Sequence, residues 1–184
     1  ESAIIRVFAA LIDKGVVYQS KKPVQWSYGA QTALAEAEVE YKEKTSPAIW
    51  VKFVFTEESE ATFRQTTEAA GEDRYHLVIW TTTPWTLPAN LGVALHADFI
   101  YLAGPFGNEA GERHNLVLAK DLVEEFTAKT GFAPMGEMVE FKGRVAEGLE
   151  VQRPFLPRLS KGILAQFVTT QTAQGRGPTA PGHG

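Results

Sequence analysis

The segment Trp80-Thr81-Thr82-Thr83-Pro84-Trp85-Thr86-Leu87-Pro88-Ala89-Asn90 carries the greatest density of groups able to do chemistry. Three consecutive threonines stand where a strand must end. Pro84 has no N–H for a ladder, and it disfavours a helical conformation at Thr83. Side chains alternate along a strand, but the turn lets several hydroxyls converge. Each hydroxyl both donates and accepts a hydrogen bond. Such a cluster can orient a water molecule, or hold sugar hydroxyls and a carbonyl oxygen. On residue chemistry alone the plainer reading, a threonine-rich strand end with a proline-anchored turn, is preferred. Trp80 and Trp85 read as core packing, and Thr86 as structural.

Other chemistries are closed or poorly supported. The 184 residues include no cysteine, which removes disulfides, thiolate–zinc sites and a cysteine nucleophile. The four histidines, His76, His96, His114 and His183, are scattered without a His-x-x-x-His spacing, so no metal site is expected. His76, His96 and His114 read as ordinary surface or core residues. The net charge of −4 argues against a duplex-binding module, but not against a domain that holds one single-stranded end. No apolar run approaches the roughly 20 residues of a membrane span, and no signal peptide precedes the first helix. A cytoplasmic location is the expectation.

The elements that must position the threonines follow from periodicity. Ile4, Ile5, Phe8, Leu11 and Ile12 recur on one helical face, with Ser2 to cap the start and Gly15 to end it. Val16–Tyr18 and Val24–Trp26 are short extended candidates, Ala33–Ala37 a short run of helix formers, and Val39 onward an alternating strand. Ala48–Phe55 and Tyr75–Thr82 are the clearest strands, β-branched and aromatic in composition. The polar stretch 57–74 between them reads as a surface excursion, partly helical at best. Leu91–Leu95, Phe99–Leu102, Asn115–Leu118, Met138–Phe141, Leu149–Val151 and Ile163–Thr169 read as further strands. Lys120–Lys129 reads as an amphipathic helix closed by Gly131. Many short strands with few helices predict an α+β fold, a β-barrel-like core with peripheral helices, rather than a βαβ parallel sheet. The tail Gln171–Gly184, crowded with Gly and Pro, reads as loop.

The threonine segment resembles the threonine-rich peptide of the editing domains of class I synthetases for isoleucine, valine and leucine. The valine and leucine enzymes typically carry arginine at the third position of the run. Thr83 with Pro84-Trp85-Thr86-Leu87-Pro88-Ala89-Asn90 resembles the isoleucyl version. Two further segments are similar to the same family, in its order and approximate spacing. They are Ala33-Leu34-Ala35-Glu36-Ala37-Glu38-Val39-Glu40-Tyr41 with Lys44-Thr45-Ser46-Pro47, and the closing Thr179-Ala180-Pro181-Gly182-His183-Gly184. The resemblance covers residues from about 23 to the end and implies the synthetase editing-domain fold. On this reading residues 1–22 are a connecting helix and linker from the synthetic domain, and residues 23–184 are the editing domain, truncated at its C-terminal motif. The start inside a helical pattern without an initiator Met fits a piece of something larger.

What the resemblance implies is a second sieve. One methylene in a hydrophobic pocket is worth only about 1–3 kcal/mol, a general figure for which isoleucyl-tRNA synthetases are themselves the standard illustration. A pocket too small for isoleucine therefore hydrolyses valine from misacylated tRNA. Carried over, Thr81, Thr82 and Thr83 line the site and act in catalysis. Asn90 holds the adenosine or the water, and His183 joins the substrate-binding set. The implied partners are the tRNA 3′ end carrying valine and the rest of the synthetase chain, with no membrane. No cofactor belongs to this segment; ATP and magnesium serve the parent enzyme.

The closing motif departs from the family pattern Gly-Thr-Gly, one variable residue, Val-His, then Thr-Ala-Pro-Gly-His-Gly. Here Arg176 replaces the threonine, and Pro178 alone stands where three residues, including the Val-His pair, are expected. That histidine resembles a pocket wall. The family also places an aspartate for the substrate ammonium a few residues beyond Gly184. There is no His-Ile-Gly-His or Lys-Met-Ser-Lys-Ser motif, so ATP-dependent activation is not expected of this segment. Weak deacylation by the segment alone is the expectation. A non-hydrolysing module that binds the aminoacylated 3′ end, or a free-standing trans-editing factor, are the alternatives.

Overall fold

A computed structural model describes residues 2–20, 24–40, 42, 45, 47–166 and 168. The chain forms two compact units, residues 1–43 and 44–184. In the first, α1 (Ser2–Asp13) follows the predicted apolar periodicity, although Ser2 is its first helical residue and not a cap outside it. Gly15 takes φ 70° as its N–H reaches the carbonyl of Ile12 and that of Val16 reaches Leu11. This is the left-handed helix ending that glycine favours. Within this unit β1 (Gln25–Ser27) pairs antiparallel with β2 (Thr32–Leu34). The helix formers at Ala33–Ala37 thus divide between a strand and a 3-10 turn at Glu36–Glu38. Among the described residues from Val39 to Ala48 no strand forms, contrary to the alternation read from Val39, and none forms at the extended candidate Val16–Tyr18.

The second unit is built on one nine-stranded mixed sheet. Its strands are β3 (Ile49–Phe55), β4 (Tyr75–Thr81), β5 (Gly92–Leu95), β6 (Ile100–Gly107), β7 (Arg113–Ala119), β8 (Ala133–Pro134), β9 (Val139–Lys142), β10 (Glu150–Gln152) and β11 (Leu159–Leu164). The order is β5-β11-β10-β3-β4-β7-β6-β8, with β9 also on β6. Two neighbours, β5 with β11 and β4 with β7, are parallel, and the rest are antiparallel. The fold is α+β, a many-stranded sheet with few helices. β11 starts four residues before the predicted position. The apolar run Ile163–Leu164 is its end, and alternation from Ser160 sets its inward face.

Both faces of the sheet centre are buried, which is why β4 and β7 read as continuous apolar runs. Leu77, Val117, Phe53 and Phe55 enter the main core, while Val78, Leu116 and Leu118 pack with Phe106 and Phe126 on the other face. Phe126 comes from α3 (Val123–Thr130), which a 3-10 turn at Lys120–Leu122 introduces and Gly131 at φ 76° ends. The main core takes Val93 and Leu95 from one end of the sheet and Tyr101 and Phe141 from the other. These ends meet at a 3-10 turn, Gly143–Ala146. The N–H groups of Gly143 and Arg144 donate to the carbonyls of Phe99 and Ala97. The sheet is thereby barrel-like, joined through this turn and not through a β5–β9 ladder among the described residues.

The stretch 57–74 corrects the sequence reading. It forms α2 (Glu57–Thr67), started by Thr56, whose hydroxyl accepts from the N–H of Ser59. Acidic Glu57, Glu58 and Glu60 stand at its positive end and Arg64 near its last turn, a favourable order for the helix dipole. Its apolar face is a single fully buried ring, Phe63. That ring stacks on Phe55 at 5.2 Å and meets Tyr75 and Phe141 edge-on at 5.5 and 5.2 Å. One aromatic anchor replaces the usual apolar stripe, so periodicity could not reveal it. Buried Glu60 completes the attachment, accepting from the N–H of Tyr75 at 3.0 Å and pairing with Arg64 at 2.8 Å and with Arg74. Among the described residues, no helix is long and apolar enough to cross a membrane.

Candidate functional site at the end of β4

β4 lies between β3 and β7, and its last ladder pair joins Thr81 to Ile49. Thr81 ends the strand on the main-core side, in phase with Leu77 and Ile79, and is 1% exposed. Its hydroxyl oxygen accepts from the N–H of Thr83 at 3.1 Å and lies 3.2 Å from the hydroxyl of Thr83. A side-chain bond of this local type competes with the ladder and turns the chain. Pro84 then opens a 3-10 helix, Pro84–Ala89. The carbonyl of Thr83 accepts from both the N–H of Thr86, at 3.0 Å, and its hydroxyl, at 2.8 Å. Thr86 is structural, as its sequence context predicted.

The three-residue period of the turn decides which side chains face inward. Pro84 and Leu87 are covered, whereas Trp85 and Pro88 point out. Trp85, read from the sequence as a core residue, is 68% exposed. Only Leu87 anchors this short turn in the core. Trp80 is half-buried, and its indole N–H has no hydrogen-bond partner among the described residues.

The three threonines thus divide. Thr81 and Thr83 share a hydroxyl contact, one buried and one exposed. Thr82 is half-buried, and its hydroxyl makes no hydrogen bond to another described residue. No titratable side chain hydrogen-bonds this hydroxyl pair among the described residues.

Asn90 caps the C-terminal end of the same 3-10 helix. It is 1% exposed, donates to the carbonyl of Gly92 at 2.8 Å and accepts from the hydroxyl of Ser160 at 2.5 Å. Ser160 in turn accepts from Nε of Arg153 at 3.0 Å. Arg153 and Ser160 were not singled out from the sequence, where no motif marks them. Alternation along β10 was the available signal: Val151 is buried, Gln152 exposed and Arg153 buried again. His183 lies outside the described residues.

The remaining histidines have local duties. His96 stacks on Phe99 at 4.0 Å and its Nδ1 accepts from the N–H of Asp98. Lys52 lies 3.1 Å from Nε2 of His114, whose ring centroid is 6.0 Å from that of His76. Burial, and then the Lys52 charge, hold both imidazoles below their ordinary pKa.

The family described as "tRNA synthetases class I (I, L, M and V)" matches residues 1–170. An isoleucine–tRNA ligase 1 of Oceanobacillus iheyensis is 42% identical over 184 residues, all of this chain and 18% of that protein. An isoleucine–tRNA ligase of Persephonella marina is 44% identical over 181 residues, 98% of this chain and 17% of that protein. Among solved structures, GlLeuRS-CP1 aligns with a TM-score of 0.54 at 13% identity, over 73% of this chain and 54% of that one. The Plasmodium falciparum cytosolic leucyl-tRNA synthetase editing domain aligns at 0.53 and 10% identity, over 70% and 59%. These structural likenesses establish the fold alone. The chain belongs to the class I tRNA synthetases, with the isoleucine–tRNA ligases as its relatives, and spans about 18% of the length of those it matches.

Proposed function

We propose that this segment is the editing site of an isoleucine–tRNA ligase and hydrolyses valine from misacylated tRNA. The supporting observation is the hydroxyl pair of Thr81 and Thr83, 3.2 Å apart where β4 ends, with Thr82 between them. In the reaction, the oxygen of water forms a bond to the ester carbonyl carbon. The bond from that carbon to the ribose oxygen breaks, one proton of the water passes to the ribose oxygen and the other to solvent, and valine leaves as its carboxylate. The exposed Thr83 hydroxyl can donate to the carbonyl oxygen or hold the water, while Thr81 fixes it from the core side. Asn90 and His183 belong to this proposal through the resemblance of their motifs. The partners are the aminoacylated 3′ end and the remainder of the synthetase, in the cytoplasm. ATP and magnesium would serve the synthetic site, and the hydrolysis itself needs only water.

The shortened closing motif, with Pro178 where three residues including a Val-His pair are expected, favours one second reading: a site that binds the aminoacylated end without hydrolysing it. Steady-state release of valine from Val-tRNA by the whole synthetase carrying this segment separates the two. Under the editing reading Thr83→Ala slows release about a hundredfold, the usual scale for one positioned donor, and Thr83→Ser restores much of it. Release by the unsubstituted enzyme no faster than spontaneous hydrolysis supports the second reading. Release that Thr83→Ala leaves unchanged overturns the role of the hydroxyl pair.

A further inference from the structure

The geometry points to Arg153 as a positioning residue that, with Ser160, clamps the threonine-bearing turn from the β10–β11 hairpin; this rests on the editing reading of the same turn. Arg153 is 6% exposed. A guanidinium carries five donors and cannot shed its charge. Three of them reach neutral oxygens: Nε to the Ser160 hydroxyl at 3.0 Å, Nη1 to the Pro88 carbonyl at 3.4 Å, and Nη2 to the Leu159 carbonyl at 3.1 Å. No carboxylate stands within ion-pair distance among the described residues. The undescribed residues of that unit (44, 46, 167 and 169–184) include no Asp or Glu. Burying a cation without a counter-charge is costly, so an apolar residue would be the cheaper occupant for packing alone, and a lysine, whose ammonium is more strongly hydrated, would not. The planar fork does what neither can, which is to fix three oxygens from two segments in one geometry.

One of those oxygens, the carbonyl of Pro88, lies in the functional turn, near its end. At its start, Thr83 accepts twice from Thr86. At its end, Pro88 is held by Arg153. Asn90 is held by Ser160, and its amide donates to Gly92, which pairs with Lys161 on the neighbouring strand. A second bond closes the hairpin loop itself, from the N–H of Arg153 to the carbonyl of Arg158. The clamp therefore transmits the position of β10 and β11 to the 3-10 helix and, through Thr86, to Thr83.

The test uses the full-length synthetase carrying this segment, with Arg153→Met, Arg153→Lys and Ser160→Ala. Two readouts are taken: amide hydrogen exchange over residues 84–92, and kcat and KM for deacylation of Val-tRNA. Arg153→Met speeds exchange of the Thr86 and Asn90 amides, which donate to Thr83 and Leu87, by about tenfold or more. It lowers kcat by about ten- to a hundredfold, the scale of a misplacement near 1 Å, and leaves KM within about twofold. Arg153→Lys, which keeps the charge but on a single donor nitrogen, recovers part of both, and Ser160→Ala gives a smaller loss of the same pattern. Unchanged exchange in both Arg153→Met and Ser160→Ala overturns the clamp, as does an effect confined to KM. If Arg153→Met melts far below the wild type, Ser160→Ala, which removes a single oxygen, decides on the same readouts. Exchange that responds in an enzyme that does not deacylate keeps the clamp and removes the editing reading. Normal deacylation with unmoved exchange does the reverse.

Discussion

Replacing Gly143 by alanine tests how the sheet becomes barrel-like. Gly143 opens the 3-10 turn at which the two ends of the sheet meet, and its φ lies outside the left-handed region, so conformational strain plays no part. A Cβ there would stand 2.2 Å from the carbonyl oxygen of His96 and 2.7 Å from a ring carbon of Tyr101. Both approaches fall roughly 1 Å short of van der Waals separation. Neither obstacle yields easily. One is backbone, and the other is a buried ring that stacks on Phe141 and hydrogen-bonds the N–H of His96. Overpacking of this kind costs about 1–3 kcal/mol, and rigid neighbours put it near the top of that range. The lower entropy of the unfolded alanine chain offsets about 0.4–1 kcal/mol. The net loss is about 2 kcal/mol, a fall in Tm of about 4–8 °C for a chain of this size. Thermal and urea unfolding measure it, with an unchanged m-value expected because the surface exposed on unfolding is the same. Gly29→Ala, where nothing lies within 4 Å of the added carbon and φ is ordinary, is the control that stays near wild type. A Gly143→Ala protein melting within about 1 °C of the wild type would refute the claim that this turn joins the ends of the sheet tightly.

Two further outcomes follow from charge. Burial raises the pKa of Glu60, but hydrogen bonds from Arg64, Tyr75 and Arg74 outweigh it and hold it below the ordinary 4.5. Its stabilisation is therefore present above pH 4.5 and lost as pH falls through the folded value. Glu60→Gln should cost about 2–3 kcal/mol at pH 7, less than a fully buried pair because both arginines are partly exposed. It should also flatten the acid limb of unfolding measured between pH 5 and 2. His76 and His114 are depressed by burial first and Lys52 second, so the unfolded chain binds more protons near pH 6.5. The stability they contribute is present above that pH and falls below it. Lys52→Gln should make that decline between pH 7 and 5 shallower in chemical unfolding, and an unchanged slope would remove Lys52 as a cause.

Sequence by itself determined the strand read as Tyr75–Thr82, which ends one residue earlier at Thr81, the break at Pro84, the helix ending at Gly131 and the threonine cluster, because each depends on local rules. Proline lacks a donor, glycine tolerates a positive φ, and β-branched residues favour the pleat. The three matching segments also determined the family, which no packing argument was needed to reach. Tertiary structure decided the rest. α2 was hidden because one ring, Phe63, and one buried carboxylate, Glu60, do the docking that an apolar stripe usually does. Trp85 faces outward because a three-residue turn has only one inward row, and Leu87 occupies it. The parallel pairing of β4 with β7 and β5 with β11 could not be read locally, since strand neighbours are set by packing across the whole chain. Asn90 keeps the company of Arg153 and Ser160, residues 63 and 70 positions further along, for the same reason. Side-chain spacing tells which face a residue takes, while only the assembled sheet brings a buried guanidinium to the carbonyl of Pro88.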